Sequence, residues 1–249
     1  MGGIFNIYPM NRHFNVLVAG KNHAELMGAY DSRLVVPEYV AYEYKKAELY
    51  RKEYLDGLRA VIDKDPRIEE EIKEIESESI EDFYLDLTQN YELDPETGNA
   101  ICRNNPNGKY DSAHVARNFA NPFILKDGTE SFSAEVKDID WEKMVTDKTP
   151  YELAWDLVMG KKKPKGDYEK SIYENMKNRT AYFRTFGSKE NYVTISTAFW
   201  CFAFVSEKGE WTELEPTCSQ FDWVKNFYDR FVKKLKPSTL LTLYECSRD

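Results

Sequence analysis

The stretch from Tyr192 to Val205 constrains the fold more than any other part of the sequence. Every second position carries an apolar or β-branched residue: Val193, Ile195, Thr197, Phe199, Cys201, Ala203 and Val205. From Ala198 onward the intervening positions are apolar as well. A strand that becomes covered on both faces is typical of the middle of a sheet. The pattern therefore predicts a central strand over 192–205.

The residues after this stretch predict a unit that packs on it. Lys208-Gly209 predicts a turn into a short strand, Trp211 to Leu214. Apolar residues then recur at spacings of three and four from Phe221 to Leu235, which predicts a helix with one apolar face that starts at a capping Ser219. Leu240 to Cys246 predicts a closing strand.

The N-terminal half predicts strands on either side of a helical segment. Phe14 to Gly20 predicts a short buried strand, and Arg33 to Val36 predicts a second strand that Pro37 ends. Residues 41–91 predict three helices: the first over about 41–63, the second opened by Asp65 and Pro66, and the third opened by Ser79. Farther on, residues 123–125 and 131–136 predict a hairpin.

These elements do not alternate regularly between strand and helix, which argues against a doubly wound fold. We predict a single α+β domain over 1–249, with a mixed, mainly antiparallel sheet and packed helices. The N-terminal and C-terminal strands are expected in the same sheet as 192–205. Residues 41–91 are expected to form an acidic helical insertion.

Charge and cysteine usage restrict the classes of partner. The 249 residues carry a formal net charge of −9, which disfavours direct nucleic-acid binding and favours a partner with a basic surface. Four widely spaced cysteines predict buried free thiols and a cytoplasmic protein. No apolar run has the roughly 18–20 residues of a membrane span, so no membrane association is expected.

The stretch from Asp94 to Trp141 contains a series of short motifs. They are Asp94 with Gly98-Asn99, Asn105-Pro106, Lys109-Tyr110-Asp111, Lys126-Asp127-Gly128 and Lys137-Asp138-Ile139-Asp140-Trp141. The series resembles an uncharacterised family of phage and prophage proteins, which has a turn with Asp, Gly and Asn, an Asn-Pro step, a Lys-Trp-Asp-Trp segment, a Gly-Gly-Arg-Trp segment, a Lys-Asp-Gly turn and a Lys-Asp-Ile-Asp segment with an aromatic residue. The chain departs from the pattern at Ser112 and at 116–119, where it has Ala-Arg-Asn-Phe. The resemblance implies a phage or mobile-element origin.

Polar side chains collect where the chain departs from that pattern. They are candidate ligand-binding residues, in a segment rich in loops: Lys109, Asp111, His114, Arg117 and Asn118. The plainer interpretation is an ordinary surface histidine among solvated neighbours. Asp138 and Asp140 could approach a divalent metal, but Asp140 also suits an N-cap, and we predict no metal site and no cofactor. No nucleophile motif is present, so no catalytic residue is predicted.

An acidic run in the helical segment is the candidate partner-binding surface. Residues 65–86 contain ten acidic side chains against Arg67 and Lys73. Such a surface can imitate nucleic-acid phosphates and occupy a basic groove. The alternative is a solvated helix face. The candidate residues are Glu69, Glu70, Glu71 and Glu74. The lysines of 161–165 predict an exposed loop, with phosphate or acidic-partner contact as the alternative.

We therefore predict a phage-type accessory protein, leaning against an enzyme, that binds a host factor and inhibits a host defence system. The alternative is a binder or hydrolase of a nucleotide or nucleic-acid-derived ligand that uses residues 105–119. A structural subunit without a ligand is a third possibility.

Overall fold

A computed structural model of the protein describes residues 13–60, 67–117, 120–175, 179–215 and 218–248. It confirms the predicted α+β class, with helices packed on mainly antiparallel sheets. The strands are β1 (His13–Ala19), β2 (Val35–Tyr42), β3 (Glu92–Leu93), β4 (Ala100–Asn104), β5 (Ser112–Val115), β6 (Phe123–Ile124), β7 (Glu130–Ser131), β8 (Ser133–Glu135), β9 (Ala203–Val205), β10 (Trp211–Glu213) and β11 (Leu240–Ser247). The helices are α1 (His23–Gly28), α2 (Ala47–Arg59), α3 (Arg67–Ser77), α4 (Ile80–Leu87), α5 (Thr149–Val158), α6 (Gly166–Asn175), α7 (Arg179–Phe186), α8 (Lys189–Thr197) and α9 (Gln220–Phe227).

The described chain divides into two compact units. The helical unit comprises Gly28–Asp111, and the sheet unit comprises His13–Met27 with Ser112–Ser247. The acidic helices of 41–91 lie in the helical unit, together with a three-stranded sheet. The expected single domain with an insertion at 41–91 stays a prediction.

A six-stranded sheet is the centre of the sheet unit, in the order β10-β9-β1-β11-β5, with β8 also paired to β11. β1 and β11 run antiparallel, from His13 opposite Ser247 to Ala19 opposite Leu241. The N-terminal and C-terminal strands therefore share a sheet, as predicted. β9 lies parallel to β1 on its other side, and Val16 to Ala19 are fully buried between these neighbours.

The predicted strand over 192–205 is wrong in its first half. Residues Lys189–Thr197 form α8, and only Ala203–Val205 enter the sheet. Ser188 starts the helix, because its side chain accepts a hydrogen bond from the Asn191 N–H at 3.1 Å. Of the second half, only Ala203–Val205 was placed correctly: β9 has a strand on each side and is buried throughout, whereas residues 198–202 belong to no strand.

The C-terminal elements follow the predicted order and cover one face of the sheet. The Lys208-Gly209 turn joins β9 to β10, and Gly209 has the positive φ of 81° that glycine adopts without strain. Ser219 caps α9 by accepting from the Asp222 N–H at 3.4 Å. A wider helical turn, Tyr228–Val232, continues α9. The apolar side of this helix packs on the sheet in a core that includes Leu17, Phe204, Trp223, Val224, Phe227, Phe231 and Leu243.

The predicted hairpin is also only partly correct. Phe123–Ile124 pairs with Glu130–Ser131 across the Asp127-Gly128 turn. Ser133–Glu135 instead pairs with the start of β11, so the second half of the predicted strand joins the large sheet. If 133–135 had stayed in the hairpin, the main-chain N–H and C=O groups of β11 that now bond to β8 would lack that partner.

In the helical unit, the sheet order is β2-β4-β3. β2 does not end at Pro37 as predicted, because the proline falls inside a register shift between Val35 and Tyr39, where no ladder bond is lost. Tyr84 on α4 ties the helices to the sheet: its hydroxyl donates to the Tyr42 carbonyl at 2.9 Å and accepts from the Ala100 N–H at 3.0 Å.

The predicted helix at 41–63 starts later, with a short 3-10 turn at Tyr44–Lys46 before α2. Its end and the predicted cap at Asp65 and Pro66 lie outside the described residues. Ser79 caps α4 as its position predicts, by accepting from the Asp82 N–H at 3.0 Å. In the parts of the chain that the structure describes, no helix is long and apolar enough to cross a membrane.

Candidate functional site

The inward face of α3 determines which of its carboxylates face solvent. Ile68, Ile72 and Ile75 are buried against Leu58 and Phe83, in a cluster contributed by α2, α3 and α4. Positions three and four residues apart share a helix face, so these isoleucines fix the helix rotation. The glutamates between them are therefore directed outward.

Five acidic residues follow one another at intervals of four along α3 and α4. We call them the acidic row, and its members are Glu70, Glu74, Glu78, Asp82 and Asp86. Helical hydrogen bonding runs past the end of α3, since the Glu78 N–H donates to the Glu74 carbonyl at 3.2 Å. All five are exposed except Glu78, which is half-buried.

The pKa of Glu78 is affected by other carboxylates of the acidic row. Burial raises the pKa of Glu78 above its usual range, and the charges of Asp86, Glu74 and Asp82 raise it further. The Arg51 guanidinium acts in the opposite direction but does not cancel this effect. The row is thus a line of mutually repelling charges, which a cationic partner would neutralise.

Neighbouring carboxylates outside the row are already satisfied within the unit. Glu69 pairs with Lys73 at 2.8 Å and Glu76 pairs with Arg59 at 2.6 Å. Glu71 accepts a hydrogen bond from the Tyr54 hydroxyl at 3.0 Å, and burial together with this carboxylate raises the pKa of Tyr54 to about 12. Of the four predicted partner-binding glutamates, Glu70 and Glu74 therefore lie in the row, whereas Glu69 and Glu71 have internal partners. The interval of four was the sequence signal for Glu78, Asp82 and Asp86.

The predicted ligand-binding residues are divided between the two units. Lys109 and Asp111 belong to the helical unit, where Asp111 accepts a hydrogen bond from the Ser32 hydroxyl. His114 and Arg117 belong to the sheet unit, and Asn118 lies outside the described residues. Lys109 and Asp111 are half-buried in the helical unit, and His114 and Arg117 are exposed in the sheet unit. Their use as one site stays a prediction.

His114 has a buried partner that the sequence analysis missed. It lies opposite Glu245 in the pairing of β5 with β11, and its Nε2 is 3.2 Å from Glu245 Oε2. The other carboxylate oxygen accepts from the Ala120 N–H at 3.0 Å. The Glu245 side chain is 6% exposed and that of His114 is 49% exposed. A glutamate inside the otherwise apolar strand 240–246 was the available signal.

This arrangement can hold an imidazole in a fixed orientation. A carboxylate that orients a histidine is one half of a general-base arrangement, and the other half is a nucleophile within hydrogen-bond reach. The buried carboxylate also needs such partners for stability alone. The main role of the pair is to give the buried carboxylate of Glu245 a hydrogen-bond partner. In addition, the half-exposed ring of His114 is accessible to a ligand.

Asp138 and Asp140 do not form a ligand set in the structure. Asp140 accepts from the Lys143 N–H at 3.4 Å and pairs with the Lys143 ammonium at 3.0 Å, which lowers the pKa of Asp140. Asp140 thus caps the turn at 141–144, which is the alternative to metal binding that the sequence offered. Across the described ranges, no three His, Cys, Asp or Glu side chains gather as metal ligands.

Comparison of the chain with models of protein families, with curated proteins and with solved structures finds no match. The acidic row and the His114–Glu245 pair are therefore the two candidate sites of the chain's described part.

Proposed function

We propose that the protein acts by binding a partner with a basic surface, and that the acidic row is the binding surface. The observation that carries the proposal is the row itself: five carboxylates at intervals of four in the sequence, next to Glu69 and Glu76, which are paired with cations. Within the row, Asp82 also accepts a hydrogen bond from the Ser79 hydroxyl at 2.6 Å. A helix rises about 1.5 Å per residue, so successive members on α3 are about 6 Å apart. The row crosses the junction between α3 and α4 at Ser79, so this spacing holds only within each helix. A run of negative charge is electrostatically complementary to a cationic groove that holds nucleic acid.

The charge distribution supports this assignment. Residues 28–111 contain 21 acidic and 11 basic side chains, a net charge of −10, whereas the rest of the chain is close to neutral and the whole chain carries −9. A concentrated negative field raises the rate of encounter with a positively charged partner. The partner expected on these grounds is a protein with a basic groove, of the kind that normally holds nucleic acid.

The biological setting is part of the same proposal. The resemblance of residues 94–141 to phage and prophage proteins supports an accessory protein that binds a host factor and inhibits a host defence system. A cytoplasmic setting is supported by the four cysteines, all of which are free thiols. Binding alone suffices for such inhibition, so the proposal needs no catalytic residue.

Neutralisation of the row tests the proposal. Tagged protein is used as bait in host lysate, and the retained partner is compared with that of Glu70→Gln/Glu74→Gln/Asp82→Asn/Asp86→Asn. The matched control removes four exposed charges elsewhere in the unit, at Glu48, Glu53, Glu92 and Glu96, each replaced by Gln. The row variant should lose the partner and the control should keep it. Equal retention by both variants, or equal loss, would contradict a role for the row.

A second candidate is a nucleotide or nucleic-acid-derived ligand bound in the sheet unit at His114 and Arg117, two residues of the predicted segment 105–119. It is favoured by the half-exposed His114 ring that Glu245 orients. A nucleotide panel should then raise the melting temperature, and His114→Ala or Arg117→Ala should abolish the rise. The row variant above should leave this response unchanged, which separates the two candidates.

A further inference from the structure

The segment that contains α6 and α7 reverses the charge of the rest of the protein. Residues 161–184 contain eight basic and three acidic side chains, although the whole chain carries −9. The expectation that the protein avoids nucleic acid depends on the total charge, which is dominated by the helical unit. The field near a surface is set by the local charges, because salt screens charges beyond about 8–10 Å.

The cations of this segment are directed to solvent. Those without a carboxylate within 4.0 Å among the described residues are Lys161, Lys163, Lys165, Arg179 and Arg184, and all five are exposed. Lys162 and Lys170 have only long contacts of 3.9 Å, to Asp156 and Asp167. These charges are therefore available for phosphates.

Aromatic rings are exposed among these cations. Tyr168 is 66% exposed and Phe183 is 59% exposed, and Tyr173 is exposed as well. On α7, Arg179 and Phe183 are four residues apart and share a helix face, as Lys170 and Tyr173 do at a spacing of three on α6. Each helix thus presents a cation beside a ring.

The inner faces of both helices explain why these rings are not needed for packing. Ile172 on α6 and Tyr182 and Phe186 on α7 pack on the cluster of Trp155 and Tyr192. The apolar requirement of each helix is met on that side. Phe183 and Tyr168 are therefore additional to the core.

We propose that the surface of α6, α7 and the 161–165 loop binds single-stranded nucleic acid. Lysines and arginines would neutralise phosphates, and the exposed rings would stack on unpaired bases, the combination that sequence-tolerant single-strand binding uses. In a duplex the bases are stacked on each other, so the exposed aromatic rings have no free base face to stack on. A membrane requires a continuous apolar face, and here the apolar face of each helix is directed into the core. This proposal is independent of the acidic row.

The test uses the full chain and fluorescence anisotropy with a labelled 20-residue oligothymidylate. The loop variant is Lys161→Glu/Lys163→Glu/Lys165→Glu, the ring variant is Phe183→Ala, and the matched controls are Lys208→Glu and Tyr228→Ala, an exposed lysine and an exposed ring outside the segment. Binding should weaken with salt, with a slope of about −0.7 per phosphate contact. The loop variant should reduce both affinity and slope. The ring variant should lower affinity about tenfold, consistent with about 1–3 kcal/mol per stacked base, and leave the slope unchanged.

Duplex of the same length and vesicles with anionic headgroups complete the experiment. The proposal expects weaker duplex binding that Phe183→Ala does not alter, and no binding to vesicles that depends on the loop lysines. Absence of oligonucleotide binding, equal affinity for single strand and duplex, or binding to vesicles alone would overturn it. Circular dichroism of each variant establishes that the fold is retained. Variants of the acidic row should leave the anisotropy titration unchanged, so failure here is separate from failure of the proposed function.

Discussion

Trp223 donates its indole N–H to the main-chain carbonyl of Cys201 at 2.9 Å, inside the core of the sheet unit. The bond connects the first turn of α9 to the segment that leads into β9. Both residues are buried, so the carbonyl has no access to solvent as an alternative partner. The bond therefore adds a directional link to the apolar packing of α9 on the sheet.

Replacing this indole by phenylalanine leaves the Cys201 carbonyl without its donor. Trp223→Phe is expected to reduce the free energy of unfolding by about 1–3 kcal/mol, the cost of an unsatisfied buried group. Urea denaturation followed by circular dichroism measures the change. Trp200→Phe is the control, because the Trp200 N–H bonds to Ile195 at 3.2 Å in a half-buried position, where water can replace it. A smaller loss for Trp223 than for Trp200 would contradict the assignment.

The Tyr84 hydroxyl should be equally important to the helical unit. Tyr84→Phe removes the donor to Tyr42 and the acceptor for Ala100, both in buried surroundings. We expect the unit to lose about 1–3 kcal/mol of stability, seen as faster amide hydrogen exchange in β2 and β4. Tyr44→Phe serves as the control, since the Tyr44 side chain is exposed. Unchanged exchange in both strands would show that the hydroxyl does not bridge them.

Neutralising Glu69 on α3 and Glu78 just after it should change the stability of the fold in opposite directions. Burial and like charges raise the pKa of Glu78 above the ordinary 4.5, so the folded state favours its protonated form and ionisation destabilises the fold. The Lys73 ammonium lowers the pKa of Glu69, so ionisation of that group stabilises the fold.

At neutral pH, Glu78→Gln is therefore expected to raise the melting temperature, whereas Glu69→Gln should lower it. For Glu78 the gain disappears as the pH falls through its raised pKa, because the native glutamate is then protonated. For Glu69 the loss is present above 4.5 and disappears as the pH falls through its lowered pKa. Melting curves between pH 3 and 7 provide the measurement, and shifts of the same sign would refute the charge assignment.

His114 and Glu245 should be energetically coupled. His114→Ala removes one partner of a buried carboxylate, and that loss should be smaller once Glu245→Gln has removed the charge. A double-mutant cycle in urea should give a coupling of about 0.5–3 kcal/mol. The same cycle with Ser112→Ala, on the same strand but exposed, should give none. Additive effects of His114 and Glu245 would mean that the 3.2 Å contact contributes nothing.

The cysteines should differ in their reactivity toward iodoacetamide. Burial raises the pKa of the Cys246 thiol to about 12 and raises that of Cys201 as well, so neither forms the thiolate that reacts. Cys218 is exposed. Mass spectrometry of the native protein should find Cys218 alkylated first, and Cys201 and Cys246 only after unfolding. Rapid modification of Cys246 in the native protein would contradict its burial.

Local chemistry was the part of the fold that the sequence predicted well. The caps at Ser79 and Ser219 and the turn at Gly209 depend on residues that are adjacent in sequence, and all three occur where expected. The long helix face from Phe221 was also recognised. Its last part differs, because the wider turn at Tyr228–Val232 rotates the stripe and buries Val232 in addition to Phe231.

Tertiary pairing was the part that it could not predict. Alternation over 192–197 is compatible with a strand, but Tyr192, Val193 and Thr197 also share one face of a helix, and that face is buried. The Thr197 hydroxyl donates to the Val193 carbonyl at 2.8 Å. This bond allows a β-branched threonine, which would also fit a strand, to end the helix α8. The pairing of His114 was also missed: Glu245 stands out as a charge in the strand 240–246, but it becomes the neighbour of His114 only through the pairing of distant strands.

The pairing of β1 with β11 also determines when the sheet can close during biosynthesis. β1 emerges from the ribosome first, yet its partner extends to Ser247. Translation at roughly 5–20 residues per second leaves on the order of 10–50 s between them. During that interval, the apolar residues Val16 to Val18 lack the neighbour that shields them, and a nascent chain in this state is a natural client for chaperones. Contacts between such distant residues form slowly even after release, because a long loop must close first.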